Sequence, residues 1–540
     1  MVTVNLLPLV SCELRVAARR PRTYYIRLAA GAAAIAISIW GLLVWADWRA
    51  PASLGHSLFE ALAVTGFVGA AAAGLVLTSD CLSRERREGT LGLLFLTDLR
   101  GADVVFGRLA SKAILPFYAL LAMFPALAVC LLVGGVMAGE VWRLALVLLN
   151  TLFFSLSATV FTSALCREQH AAHLSAVSII LGSVVGLPLL GTAWTTSTAN
   201  PFWRQVAFLF SPTGNYLLSF DRPYRSAAAV FWGSVVATHL FAWLCLALSA
   251  AILPRVFLEN SPVERRAPGK SPGKAKFHRR PAREDFRYAL LDRNPMGWLA
   301  DRDRPRRGWV WCFPALATWL WFGFQLDPLG DPPAQAGFVA LAVIHVFFKI
   351  WLSADASYSF AISRRDGTLE LLLATPLRAR EIAAGTLSGF RRRYLAPLLA
   401  LLFLDLALAA WLAAVGRSPS AILVGAAGAT LLVDAYCLCW VGMLRGLVAR
   451  DSARAILATL ARIVLLPWLY FAFGAAIFYQ SAPGELAMLW LILSGFNDLI
   501  FLANARSILF EHFRVLALRP FGEKGPRVVS EWSPINWEAQ

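Results

Sequence analysis

The chain has 540 residues, of which 58% are hydrophobic and only 15% are charged, and this balance excludes an ordinary soluble globular protein. Apolar runs recur along it, each long enough to cross a bilayer as a helix and without the alternation of barrel strands. The net charge of +17 is concentrated in particular loops, as membrane orientation requires, and predicts no nucleic-acid partner. We therefore predict an all-α polytopic membrane protein embedded in a lipid bilayer.

The apolar runs predict twelve spans in two sets of six, each set preceded by a helix in the membrane interface. The two runs at 172–195 and 454–480 are compatible with broken or re-entrant helices. The first set covers 26–47, 57–78, 113–138, 141–166, 172–195 and 228–253, and the second covers 308–327, 335–356, 395–416, 419–446, 454–480 and 483–511.

Arginines and lysines crowd every second predicted loop, which indicates that both termini and both basic loops are cytoplasmic. Because each set contains an even number of spans, the two halves are expected to be parallel repeats related by an axis along the membrane normal. The predicted segments are a first repeat at 1–253, a basic cytoplasmic linker at 254–290, a second repeat at 291–512 and a cytoplasmic tail at 513–540.

Two of the basic loops carry nearly the same sequence. One runs from Arg86 to Gly107 and the other from Arg364 to Gly385, and the two align from end to end without a gap. Each begins with charge and a glycine suited to a sharp turn, followed by a threonine able to cap a helix. Apolar residues at i, i+3 and i+4, which are leucines except for Phe95, then form one apolar face. The pattern predicts a short amphipathic cytoplasmic helix between the second and third spans of each half.

The repeated motif supplies the candidate site residues. Glu370 is expected in the first turn of the second helix, where negative charge suits the helix dipole, and Pro376 is expected to end that helix. The site residues are Arg87, Glu88, Gly89, Thr90, Leu91, Leu94 and Phe95 in the first copy and Arg365, Asp366, Gly367, Thr368, Leu369, Glu370, Leu372, Leu373, Thr375 and Pro376 in the second.

The second copy, from Arg365 to Leu377, resembles the signature of ABC-2-type transporter permeases, the membrane subunits of a class of ATP-binding-cassette exporters. The first copy departs from it at Gly92 and Asp98, where the signature has an acidic residue and a proline. The resemblance implies that residues 88–99 and 366–377 are coupling helices, each seated on a nucleotide-binding subunit. It also implies an export permease in the cytoplasmic membrane of a prokaryote, with two fused halves in place of the usual permease dimer.

The chain itself is not expected to be an enzyme or to bind a cofactor or a metal. Gly269-Lys270-Ser271 is similar to the end of a P-loop, but Glu264 stands where the first glycine is required. The resemblance instead implies that ATP and Mg²⁺ bind to the partner ATPase subunit, which is expected in two copies.

Charged residues within the predicted spans favour a second function. Asp405, Asp434 and Asp498 lie in apolar runs, and Lys349 follows His345 in the eighth span. Charges inside a membrane are functional candidates by default, so the three aspartates are a possible intramembrane polar path of an ion-coupled secondary transporter. The alternative is that these groups are paired or face a cavity. A membrane enzyme is a third class, but the predicted loop at 196–227 offers no nucleophile–base pair.

Overall fold

The computed structural model describes residues 21–45, 51–77, 81–82, 100–166, 169–191, 202–259, 295–300, 310–325, 333–416, 418–449, 452–477 and 483–518. Within these ranges the chain is almost entirely helical and contains no strand. Eleven helical segments of this part are long and apolar enough to cross a membrane. The protein is therefore a polytopic α-helical membrane protein, as its composition predicts.

Contacts between residues divide the chain into two compact units. The first comprises Met1–His278 and Ala315–Phe347, and the second comprises Arg279–Pro314 and Phe348–Gln540. The predicted linker at 254–290 lies mostly outside the described residues, so its boundaries stay a prediction.

The first unit contains nine helices in its described residues up to 259. A π-helical turn, π1 (Gly182–Gly186), follows the sixth helix, and the ninth is kinked at Ala227. The helices are α1 (Pro21–Trp45), α2 (Pro51–Leu77), α3 (Gly101–Leu121), α4 (Phe124–Val133), α5 (Ala138–Leu165), α6 (Gln169–Leu181), α7 (Phe202–Leu209), α8 (Pro212–Leu218) and α9 (Asp221–Glu259).

Helix α5 lies at the centre of the first unit and packs against α2, α3, α6 and α9. Small side chains such as Ser155 and Ala158 are fully buried along it. The Ser155 hydroxyl donates to Ala71 O at 2.6 Å and accepts from the Gly74 amide at 3.1 Å. Small residues let membrane helices approach this closely, and the hydroxyl then bonds across the contact.

The chain continues with ten further helices among the described residues, of which α11 and α12 cross the division between the units. A second π-helical turn, π2 (Ala461–Leu465), joins α16 to α17. The helices are α10 (Pro295–Ala300), α11 (Cys312–Gln325), α12 (Pro333–Arg365), α13 (Thr368–Leu373), α14 (Ala379–Ala414), α15 (Ser418–Val448), α16 (Ser452–Leu460), α17 (Leu466–Ile477), α18 (Pro483–Glu511) and α19 (Phe513–Leu518).

Helix α15 has the central place in the second unit and packs against α14, α16 and α18. Two of its glycines bring α12 close. A Cβ on Gly442 would lie 2.7 Å from Ala356 Cβ, and a Cβ on Gly446 would overlap Ser357 O. The fourth predicted span of each set, α5 in the first and α15 in the second, is thus the central helix of its unit. Small residues in each of these contacts let the neighbouring helices approach closely.

The structure bears on three expectations about the spans. The predicted seventh span, 308–327, is only partly described. Helix α11 covers 14 of its residues, and the residues before 310 and after 325 lie outside the described part, so this span stays a prediction. The predicted loop at 196–227 contains α7, α8 and the start of α9. The runs at 172–195 and 454–480 contain π1 and π2, after which each helix continues without a break.

Candidate functional site

The second copy of the repeated motif forms a tight turn followed by a short helix between α12 and α14. The turn predicted at Gly367 is present, since its φ of 71° is the left-handed conformation that favours glycine. Thr368 is not the helix cap that the sequence suggested. It is the first helical residue, and its hydroxyl donates backwards to Ser363 O at 3.0 Å. Gly367 itself occupies the cap position, so the turn is fixed by backbone geometry.

Helix α13 buries one side and exposes the other. Leu369 is fully buried, whereas Leu372 and Leu373 are half-buried. Leu371 is 71% exposed, and Glu370 beside it is also exposed in the first turn. The predicted apolar face therefore points into the protein, and one large leucine is left at the surface.

Helix α19 packs against α13. It buries Phe513, whose ring meets Phe360 of α12 edge to face at 5.4 Å, and its Arg514 donates to Leu377 O at 3.5 Å. Two further apolar side chains of α19, Val515 and Leu518, are about two-thirds exposed. The predicted tail at 513–540 thus begins with a packed helix that sequence reasoning did not identify.

Both ends of the motif loop are fastened to long helices. The Arg364 guanidinium at the end of α12 donates to Leu447 O of α15. At the start of α14, the Arg378 amide donates to the Glu381 carboxylate at 2.8 Å, which is half of a capping box. The segment that contains α13 is therefore bonded to α15 at one end and capped at the start of α14 at the other.

The first copy of the motif lies largely outside the described residues, which omit 83–99, so its seven candidate site residues stay predictions. Its flanks are described. The Arg100 amide donates to Asp103 Oδ2 at 2.8 Å, and α3 begins at the next residue. This cap repeats the bond between Arg378 and Glu381, and the two pairs occupy matching positions when the two copies of the motif are aligned.

Three charges inside the predicted spans come together in the second unit. The Lys349 ammonium of α12 forms an ion pair with Asp434 Oδ2 of α15. Asp498 of α18 lies within hydrogen-bonding reach of Asp434, and its Oδ1 accepts from Asn497 Nδ2 at 3.3 Å. Lys349, Asp434 and Asp498 are 8%, 2% and 0% exposed, so the cluster is shielded from solvent. We refer to these three residues as the buried triad.

Asp405 lies on a fourth helix, α14. It lies against Gly428 of α15, where an added Cβ would sit 2.9 Å from Asp405 Oδ2. Gly428 precedes Asp434 by six residues, or about 9 Å along the helix. Of the three aspartates proposed as a polar path, Asp434 and Asp498 are direct neighbours, and Asp405 lies near Gly428 of α15.

Sequence reasoning missed a second buried charge pair. The Arg393 guanidinium of α14 pairs with the Asp355 carboxylate of α12, and the Tyr394 hydroxyl donates to the same carboxylate at 2.9 Å. Arg393 lies before the predicted ninth span, 395–416, but α14 already begins at residue 379. The sequence feature that could have indicated the pair is the run of three arginines at 391–393, next to the predicted ninth span. In the structure only the third of them is buried.

The first unit holds a polar network beside an apolar cavity between α5 and α9. Asn150 donates to Thr238 at 2.7 Å and lies 3.0 Å from His239 Nδ1, while Trp243 donates to His239 Nε2 at 3.0 Å. Both ring nitrogens of His239 therefore have a hydrogen-bond partner. The cavity of about 370 Å³ is lined by Leu146, Leu149, Asn150, Phe153, Val235, Val236, His239 and Leu240.

No family model matches the chain, and no curated protein matches its sequence.

Proposed function

We propose that the chain is an internally duplicated permease of the ABC-2 type, which couples ATP hydrolysis by a separate nucleotide-binding subunit to export across the cytoplasmic membrane of a prokaryote. The observation that carries the proposal is α13, a six-residue helix held between two long helices with an exposed leucine on its outer side. A partner protein can contact this surface without entering the bilayer.

The contacts of α13 with the rest of the protein suit it to transmit a movement of a bound partner. The Asp366 amide bonds to Ile362 O at 2.9 Å, which continues α12 into the turn. Leu369 is fully buried, so it anchors α13 in the protein and resists rolling of the helix. In this proposal, ATP-driven closure of the partner subunits displaces α13, and the movement reaches the spans through α12 and α14.

Several corresponding features support a repeat of two parallel six-span halves. The caps of α3 and α14 occupy the same place relative to the two motif copies, and π1 and π2 begin at nearly equivalent positions of the two halves. Each unit also has its predicted fourth span at its centre. We extend the coupling role to residues 88–99 on this basis, with both motifs and both termini on the cytoplasmic side. Two ATPase subunits would then bind, and the two halves would replace the usual permease dimer.

Residues of the partner would bind ATP and Mg²⁺ in this account, since the only P-loop-like stretch of the chain lacks its first glycine. The chain's own part is to receive the movement and to provide the path. We therefore expect ATPase activity only in the complex.

Co-purification tests the proposal. The full chain is solubilised from its own cells, purified and assayed for bound ATP-binding protein and for ATP hydrolysis. We expect a nucleotide-binding subunit to co-purify, to be lost from Leu371→Glu and to be kept by Leu371→Met, which preserves an apolar surface. A folded wild-type chain that purifies without any ATP-binding protein would contradict the proposal.

The buried triad favours a second candidate, an ion-coupled secondary transporter that uses Asp434 and Asp498, with Asp405 further along the path. A salt-bridged carboxylate pair inside the membrane is typical of proton and cation relays. Reconstitution separates the two candidates, because the second predicts transport by the chain alone under an ion gradient, without ATP.

A further inference from the structure

The charges of the buried triad do not balance when all three groups are ionised. Lys349 carries one positive charge, whereas Asp434 and Asp498 carry two negative ones. All three lie on helices long enough to span a membrane, and each is less than a tenth exposed. An uncompensated charge in such a place is costly, and a buried group avoids the cost by binding or releasing a proton.

The oxygens of the two carboxyl groups show where that proton belongs. Asp434 Oδ2 pairs with Lys349, and Asp498 Oδ1 accepts from Asn497. The remaining two oxygens, Asp434 Oδ1 and Asp498 Oδ2, are buried without a donor on either. The two side chains are within hydrogen-bonding reach of each other. Two facing carboxylates repel, but a carboxyl group and a carboxylate share one proton in a hydrogen bond.

Other titratable and charged groups lie on the helices packed against the pair. His345 of α12 precedes Lys349 by one helical turn and is 4% exposed. Cys437 of α15 directs its thiol to Asp498 O at 3.7 Å, and Asp405 of α14 is itself acidic. Arg462 of π2 offers its backbone oxygen to Asn497 at 2.9 Å, while its guanidinium donates to Ala458 O at 2.9 Å. Lys349 of α12 is the cation that forms an ion pair with Asp434 Oδ2.

We propose that Asp434 and Asp498, with Lys349 as counter-charge, form an intramembrane site that binds and releases a single proton. With the proton bound between the two carboxyl groups, one positive and one negative charge remain and the site is neutral. On release the proton leaves as hydronium in water, and the two carboxylates then repel each other across the contact between α15 and α18. Proton binding therefore holds these two helices together.

A proton fits this site better than a metal cation does. Lys349 Nζ already occupies a cation position on Asp434. Among the described residues, no group of three or more His, Cys, Asp or Glu side chains is arranged to hold a metal ion. Metal cations of the hard type need six or more oxygen ligands, and the triad presents four oxygens with two already in use.

Infrared difference spectroscopy tests the site on the purified full chain in lipid nanodiscs, and it requires no substrate or ATPase partner. We expect the wild type to show a protonated buried carboxyl group at neutral pH that disappears on an alkaline shift with release of one proton. Asp498→Asn should lack this band and release one proton fewer. Asp221→Asn is the matched control, because Asp221 is already paired with Arg143 at 3.2 Å, and it should keep both signals.

Two further variants, one of which removes a charge of each sign, test the site in a chain that is expected to fold. Lys349→Met leaves two facing carboxyl groups and no cation, so both bind protons and the protonated-carboxyl signal should grow about twofold. Lys349→Met with Asp434→Asn removes one charge of each sign, so it should fold and keep a single protonated carboxyl group on Asp498. A wild type without any protonated carboxyl band, or a band unchanged in Asp498→Asn, would overturn the proposal. Either result would leave the proposed coupling to an ATPase untouched.

Discussion

Arg393 of α14 and Asp355 of α12 form an ion pair in which both side chains are less than a tenth exposed. The two residues lie on the two helices that carry α13, and Tyr394 adds a hydrogen bond of 2.9 Å to the same carboxylate. The pair therefore fixes the distance between the two helices behind the motif loop. In the proposed coupling, this pair keeps α12 and α14 together when α13 is displaced.

Removal of one partner of this pair should be strongly destabilising. Arg393→Met leaves the Asp355 carboxylate buried without its cation, at a cost of about 3–5 kcal/mol. Arg393→Met combined with Asp355→Leu removes both charges and should recover most of that loss. The measurement is the thermal unfolding midpoint of each purified variant in the same detergent. Equal midpoints for the single and double variants would show that the charges do not interact.

Because α12 and α15 approach each other closely, a larger side chain at their contact should destabilise the protein. A side chain on Gly446 would overlap Ser357 O, so Gly446→Leu should lower stability by about 1–3 kcal/mol or prevent folding. Gly425→Leu lies on the same helix with nothing within 4 Å of an added Cβ, and it should be tolerated. Expression and thermal unfolding of the two variants distinguish them, and an equal effect at both positions would argue against the close contact.

The repeated helix caps should respond alike to substitution. The bonds from Arg100 to Asp103 and from Arg378 to Glu381 are both 2.8 Å long. Asp103→Ala and Glu381→Ala should each cost about 1 kcal/mol or less and should speed hydrogen exchange at the cap amide that loses its acceptor. Glu381→Gln keeps an acceptor oxygen and is the control. Faster exchange at one cap alone would show that the two are not equivalent.

Sequence periodicity was sufficient for the membrane class, for the approximate place of eleven spans and for the turn at Gly367, because these depend on local composition and on one backbone conformation. It could not identify the partners of buried charges. Lys349, Asp434 and Asp498 are far apart in sequence, and only the packing of three helices brings them together. Asp355 lies inside the predicted eighth span, but its partner Arg393 lies before the predicted ninth span, on a part of α14 that the sequence analysis did not predict as helix, so the pair was missed.

The two sides of α13 should separate stability from coupling. Leu369→Ala empties a fully buried site and should cost about 2–5 kcal/mol, with a lower unfolding midpoint. Leu371→Ala alters an exposed side chain and should leave the midpoint unchanged while reducing ATPase activity of the complex. Paired measurements of unfolding and of ATP hydrolysis check this prediction. Loss of stability without loss of coupling in Leu371→Ala would contradict the assigned surface.

The most direct test of the central claim is photo-crosslinking from position 371 in living cells. A photoreactive amino acid replaces Leu371 in the full chain, and the same amino acid at Met488, an exposed residue of α18 in a candidate span, is the control. We predict a crosslink from position 371 to an ATP-binding subunit and none from position 488. Efficient crosslinking from 371 that never yields a nucleotide-binding protein, in a chain that transports under an ion gradient alone, would contradict the account.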